Sequence, residues 1–231
     1  MDITPYKEFA EEKLGVTFNN IELLVTALTH RSYVNEHKRS TKEHNERLEF
    51  LGDAVLELVV TEYLYATYED PEGTLTNWRS ALVRTESISA AASRLGFEHL
   101  LRLSRGEKRG TERARAQILA NTFEAVTGAI YLDQGYEAAR RFIEANILST
   151  FEEILQTGSW MDPKSHLQEV IQSKEGHTPH YKVLNEEGPD HDKVFTVGVF
   201  VDGELRGKGS GPSKQSGQVA AAEAALHQIQ K

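Results

Sequence analysis

Acids at helical spacing are the first chemistry legible in this chain. In the run from Asn45 to Glu57, Glu46, Glu49, Asp53 and Glu57 recur every three or four residues. At the α-helical period they fall in a stripe about 80° wide. Most other positions are apolar: Leu48, Leu51, Ala54, Val55, Leu58 and Val59, with Phe50, Leu56 and Val60 beside the stripe. A helix apolar nearly all round is one that packs nearly all round, so these acids are expected to lie away from bulk water. A second stripe follows between Gln117 and Ile130, where Gln117, Asn121 and Glu124 share one face and Gly128 below them allows another helix close. Carboxylates withdrawn from water need cations, and oxygen donors from two helices suit a hard divalent ion such as Mg²⁺ or Mn²⁺. Such an ion activates water and stabilises a leaving oxygen, which points to phosphate-ester chemistry. The plain alternative is a solvated acidic helix face.

Other metal chemistries are excluded by residue type. The chain has no cysteine, no Glu-x-x-His and no His-Glu-x-x-His, which removes thiolate zinc, iron–sulfur, di-iron bundle and zincin sites. Immediately before the second stripe come Arg102, Arg105, Lys108, Arg109, Arg113 and Arg115. By itself this run reads as a solvated loop; next to a metal site it is a candidate phosphate contact that positions a nucleic-acid backbone. Gly203 to Gly209 is spaced too tightly for a P-loop, and His30 is expected to make a structural hydrogen bond.

The elements that position these residues are helical up to about residue 156. Three- and four-residue apolar spacing predicts helices at about 5–14, 20–32, 41–68, 74–95, 111–133 and 135–155, punctuated by Gly15, Pro71, Gly73, Gly96, Gly110 and Gly135. Residues 157–161 read as a linker. Asp162-Pro163 then opens a helix to about Ser173. Strand-like runs follow at Tyr181–Leu184, Val194–Val201 and Glu204–Lys208, with Asp202-Gly203 as a hairpin turn. Ser213 to Gln230 is an alanine-rich helix. The fold expected is an all-α domain, residues 1–156, followed by a small α+β module of order α-β-β-β-α, residues 162–231.

Composition complicates the functional reading. The 231 residues are 39% hydrophobic, enough for a core, but carry 35 acids against 26 Lys and Arg, a net charge of −9. Neither half has the basic excess of a typical nucleic-acid binder. No apolar run approaches membrane-spanning length and the first residues lack signal-peptide features, so a cytoplasmic protein is expected.

At Glu46-Arg47-Leu48-Glu49-Phe50-Leu51-Gly52-Asp53 the chain resembles the signature of bacterial ribonuclease III. The segments Ala27–Tyr33, Arg79–Arg84 and Ile118–Ala125 follow in that family's order, and the C-terminal module resembles its double-stranded-RNA-binding domain. The resemblance implies a homodimeric, Mg²⁺-dependent endoribonuclease, with Mn²⁺ as a substitute and no small-molecule cofactor. It would cut double-stranded RNA, including ribosomal RNA precursors, to 5′-phosphate and 3′-hydroxyl ends with short 3′ overhangs. It implies Glu49, Asp53 and Glu124 as metal ligands, with Asp53 and Glu124 catalytic. Glu46 and Glu72 would line the cleavage valley, Arg105 and Lys108 would face RNA, and Phe50 would be an apolar knob at the dimer interface. In the RNA-binding module it implies Gln168 and Glu169 at a minor groove, where 2′-hydroxyl contacts need no positive charge. His191 would be the tip of a loop at the next groove, and Ser213 and Lys214 a phosphate clamp at a helix start. Gln215 and Gly217 depart from that clamp's usual pattern. A further departure is Asn121, where the family's commonest residue is aspartate. Asparagine keeps an oxygen for Mg²⁺ but loses a charge. It leaves two readings open: a working ligand, or a weakened enzyme that binds double-stranded RNA without cutting it well.

Overall fold

The computed structural model describes residues 2–39, 41, 43–189 and 193–229. The chain divides into two compact units, Met1–Gln156 and Thr157–Lys231.

The first unit is helical. Helix α1 (Thr4–Phe9) runs into a π-turn at Ala10–Leu14, followed by α2 (Ile21–Ala27), α3 (Arg31–Glu36), α4 (Glu46–Thr67), α5 (Glu72–Val83), α6 (Thr85–Leu95), α7 (Glu112–Gln134), α8 (Tyr136–Asn146) and α9 (Phe151–Thr157). Short 3₁₀ turns occupy Phe97–His99, Glu107–Arg109 and Leu148–Thr150. The most extensive helix–helix contact is that of α4 with α7. Two glycines allow it. A Cβ on Gly52 would lie 1.7 Å from the Glu124 carbonyl oxygen, and one on Gly128 would lie 2.3 Å from the Leu48 carbonyl oxygen. The two backbones are therefore in direct contact, and Leu56, Val60, Phe123, Val126 and Ile130 pack fully buried around them.

The structure breaks several helices that the apolar period reads as continuous. The 20–32 segment is interrupted where Thr29 pairs with Arg102 and the His30 ring accepts the Ser32 N–H at 3.2 Å to cap α3. Helix α4 begins at Glu46 rather than 41, its start fixed by the Asn45 N–H on the Thr29 carbonyl. The 74–95 segment turns at Arg84, whose ψ of 154° is extended. The 135–155 segment is similarly divided at Ile147 and the 3₁₀ turn after it. A break of one or two residues preserves the three- and four-residue rhythm on both sides, so periodicity does not register it. Burial also differs from the expectation. One flank of α4 stays open in the single chain, with Phe50 82% and Tyr65 81% exposed, and Leu58 and Leu132 half exposed.

The second unit comprises α10 (Pro163–Glu175), β1 (His180–Glu187), β2 (Val194–Val201), β3 (Glu204–Gly211) and α11 (Lys214–Ile229). The strands form an antiparallel sheet in the order β1-β2-β3. Asp162 caps α10 by accepting the Lys164 and Ser165 N–H groups at 3.1 Å. Asp202 and Gly203, both at positive φ, close the hairpin. The core joins Leu167 and Ile171 of α10, Val199 and Val201 of β2, and Ala221, Ala222 and Ala225 of α11. Gly207 and Gly209 let α11 lie against β3, since a Cβ on either would strike its backbone within 2.5 Å. β1 and β3 each run three residues past the apolar stretch that marks them in sequence, through polar residues or glycine.

The glycine contact is directly testable. Gly128→Ala forces the backbones of α4 and α7 apart and should cost about 1–3 kcal/mol or more of unfolding free energy. Gly73→Ala, where a Cβ meets nothing within 4 Å, should be neutral or stabilising. Urea unfolding midpoints of the two variants against the parent check both.

Candidate functional site

The crossing of α4 and α7 sets Glu49 and Asp53 of one helix beside Glu124 of the other. Each end of the α4 stripe faces a basic side chain. Glu46 faces Arg31 at 3.5 Å and His44 at 3.8 Å, and Glu57 is bound by Arg79 at 3.2 Å. Arg79 also donates to the Thr61 hydroxyl. Between these ends, Glu49, Asp53 and Glu124 have no Lys, Arg or His partner among the described residues. Glu46 and Asp53 are exposed while Glu49 and Glu124 are half-buried, so the stripe is only partly withdrawn from water.

The electrostatic effect is concentrated on Glu124. Burial, then the charges of Asp53 and Glu49, push its carboxyl up to about 8. Glu49 is also raised, first by burial and then by Glu46 and Asp53, with a hydrogen bond from Asn121 acting in the opposite sense. Asn121 is itself held: the Gln117 side-chain amide donates to its Oδ1 at 2.7 Å. The sequence reading places Gln117 on this stripe without a role, and Gly52 within the signature without its packing function.

Three carboxyl groups with no basic partner among the described residues, and one neutral amide, offer hard oxygen donors that fit a divalent cation of the Mg²⁺ or Mn²⁺ type. Among the described residues, no three His, Asp or Glu side chains already form a closed ligand set; the carboxylates gather around the helix crossing without meeting at one point.

Other expected site residues are more dispersed. Glu72 opens α5 and lines a separate groove with Thr61, Tyr65, Thr76 and Arg79. Phe50 borders an open groove of about 800 Å³ lined by Leu23, Thr26, Leu48, Leu51 and Leu132. Within the basic run, Arg102 is structural: it donates to the Thr29 and Thr41 hydroxyls at 3.1 Å and stacks over Tyr33. Arg105 and Lys108 are exposed, the Arg105 backbone N–H being held by the Glu36 carboxylate. In the second unit Gln168 and Glu169 point outward from α10, opposite Leu167 and Ile171. Ser213 and Ser216 cap α11 reciprocally, and Lys214 lies 3.5 Å from Glu186 and over the Phe195 ring. Lys164, which the sequence reading leaves without a role, donates to Gln218 at 2.8 Å and so ties α10 to α11. His191 lies outside the described residues. No helix among the described residues is long and apolar enough to cross a membrane.

Comparison with known proteins gives a consistent picture. Residues 20–151 match the family model described as Ribonuclease-III-like, and residues 163–229 match the double-stranded RNA binding motif. Among curated relatives, Ribonuclease 3 of Enterococcus faecalis is 44% identical over 223 residues, 95% of both chains. Ribonuclease 3 of Chloroflexus aggregans is 46% identical over 224 residues, 96% of both chains. Among solved structures, the nuclease domain of ribonuclease III from Campylobacter jejuni is 39% identical with a TM-score of 0.54, covering 64% of this chain and 99% of that one.

The raised Glu124 carboxyl predicts a pH dependence of stability. Its ordinary value is 4.5 and its folded value about 8. Between the two, the folded chain keeps a proton that the unfolded chain releases. This group's contribution is thus full below about 4.5 and lost as pH rises through 8. With divalent ions chelated, Glu124→Gln should melt above the parent, and the gap should widen from about pH 5 to about pH 9. Thermal unfolding across that range checks it; parallel profiles would contradict the coupling.

Proposed function

Because this chain belongs to the ribonuclease III family and is an endoribonuclease of double-stranded RNA, we propose that it works as a divalent-metal-dependent phosphodiesterase centred on Glu49, Asp53, Asn121 and Glu124. The observation that carries this reading is the charge pattern on α4 and α7. Protein cations pair the outer acids Glu46 and Glu57, while Glu49, Asp53 and Glu124 have none among the described residues. A site that only stabilised the fold would be expected to neutralise the middle of the cluster as well. Held by these residues, a Mg²⁺ or Mn²⁺ ion would supply a polarised water and neutralise charge on the leaving oxygen.

The chain's own residues divide the remaining work. Asp53 and Glu124 are the catalytic carboxylates, and Glu124 must release the proton that its surroundings favour before it can act as an anionic donor. Glu46 and Glu72 line the valley, while Arg105 and Lys108 hold phosphate oxygens along it. In the second unit Gln168 and Glu169 meet 2′-hydroxyls in a minor groove, His191 reaches the next, and Ser213 and Lys214 grip the backbone at the start of α11. Products are 5′-phosphate and 3′-hydroxyl ends with short 3′ overhangs, the setting being processing of ribosomal and messenger RNA in the cytoplasm.

The working unit is a homodimer. Exposed Phe50, Leu58, Tyr65 and Leu132 leave apolar side chains uncovered, and the groove beside Phe50 offers a depression to a second copy. The Campylobacter nuclease domain, described as having a region involved in dimer formation, supports this arrangement.

Glu124→Ala should slow cleavage of a labelled RNA duplex by roughly 100-fold or more. It should leave duplex binding within about twofold and abolish the rise in melting temperature that Mg²⁺ gives the parent. Cleavage near the parent rate would remove Glu124 from the site. Comparison with Asn121→Asp separates the two readings of Asn121. Similar cutting by both makes Asn121 a working donor. Cutting by the variant alone, with equal binding, makes the chain a binder of double-stranded RNA.

A further inference from the structure

Helix α3 buries none of its own residues, yet two of its side chains hold the main chain that carries Arg105 and Lys108. Ser32 and Glu36 stand four positions apart and so share one helix face. The Ser104 N–H donates to Ser32 Oγ at 3.1 Å, and the Arg105 N–H donates to both Glu36 carboxylate oxygens at 3.3 Å. A backbone N–H can only donate, so the direction of these bonds does not depend on where the Ser32 hydroxyl proton points. That hydroxyl is itself held, its Oγ lying 2.8 Å from His30 Nδ1. The Glu107 N–H then reaches Ser104 Oγ at 3.2 Å, folding the turn back on its anchored start. The cations of the turn take no part in this. Arg105, Lys108 and Arg109 are exposed and form no ion pair among the described residues. Glu36 binds the Arg105 main chain and leaves its guanidinium unpaired.

We propose that Ser32, with Glu36 beside it, is a positioning residue for double-stranded RNA, clamping the start of the basic turn to α3 so that Arg105 and Lys108 meet phosphates from a main chain already fixed. The consequence for RNA rests on the reading above that these two cations hold phosphate oxygens; the clamp itself does not. Long cationic side chains on a loose turn lose freedom when they bind, and a turn ordered in advance loses less. An acid paired with the guanidinium would compete with phosphate for the same fork of donors. The same acid on the backbone orders the turn and leaves the charge to the RNA.

The test uses the full chain and a double-mutant cycle. Ser32→Ala removes the acceptor, Ser32→Thr keeps it, and the second background carries Arg105→Gln with Lys108→Gln. Binding of a labelled RNA duplex is measured in EDTA across a range of salt, the active fraction by stoichiometric titration, and hydrogen exchange over the 103–107 backbone. With the cations present, Ser32→Ala should weaken binding roughly fivefold and reduce the slope of log affinity against log salt by about one. In the Arg105→Gln, Lys108→Gln background the same change should cost less than about twofold. Exchange over 103–107 should quicken in Ser32→Ala, and Ser32→Thr should restore both exchange and affinity. A serine that only supported the fold would lower the active fraction and leave the affinity of the active molecules and the salt slope unchanged. That result, equal losses in the two backgrounds, or unaltered exchange would overturn the role of Ser32. If Arg105→Gln with Lys108→Gln binds duplex like the parent, the RNA reading of the two cations fails and the positioning role falls with it, while the exchange data show separately whether the clamp exists.

Discussion

Backbone contact between α4 and α7 is the constraint from which the first unit is built. Side chains normally hold packed helices 8–10 Å apart. Here two glycines bring main chain against main chain, with Gly52 under the Glu124 carbonyl and Gly128 under that of Leu48. The acidic residues lie within one turn of those contacts: Glu49 and Asp53 flank Gly52, and Glu124 is itself part of the Gly52 contact. The arrangement that buries Phe123, Val126 and Leu56 therefore also forces carboxylates from two helices into a shared space. Packing energy from the apolar core opposes the repulsion that results, and the Glu124 carboxyl is raised first by its burial and then by the charges of Asp53 and Glu49.

Protein cations mark the limits of the cluster. Arg31 at one end and Arg79 at the other leave the acidic stripe on α4 without a cation only at its central two members. Negative potential is thus focused where α7 contributes Glu124, and a small multiply charged ion is the species best able to relieve it. The same economy of charge appears in the RNA-binding module. On the proposed reading Gln168, Glu169 and Ser213 meet RNA without being basic, which would reconcile a net charge of −9 with a double-stranded RNA binding motif.

The acidic stripes were readable because helical period converts sequence spacing directly into direction, and Gly128 because a small residue beneath a polar stripe implies close approach. The partnership of Gly52 with Glu124 was not, since it depends on contact across 72 positions. Nor was the pairing of Glu57 with Arg79, which needs α5 folded back along α4. The open flank of α4 shows a different limit. Leu58 reads as a packed residue because apolarity does not reveal which surface covers it, and in one chain it stays half exposed. Breaks at Arg84 and at Thr29–His30 leave no mark in the sequence because they arise from a single extended residue or a bridge to Arg102, neither of which disturbs the apolar rhythm.

On the proposed reading the acids at the α4–α7 crossing bind one class of ion at one place. Anomalous diffraction from crystals of this chain soaked in Mn²⁺ tests it most directly. The account predicts a strong anomalous peak bounded by Glu49, Asp53 and Glu124 at the helix crossing. A peak absent there and present at Glu57, Glu72 or another acidic surface would contradict it.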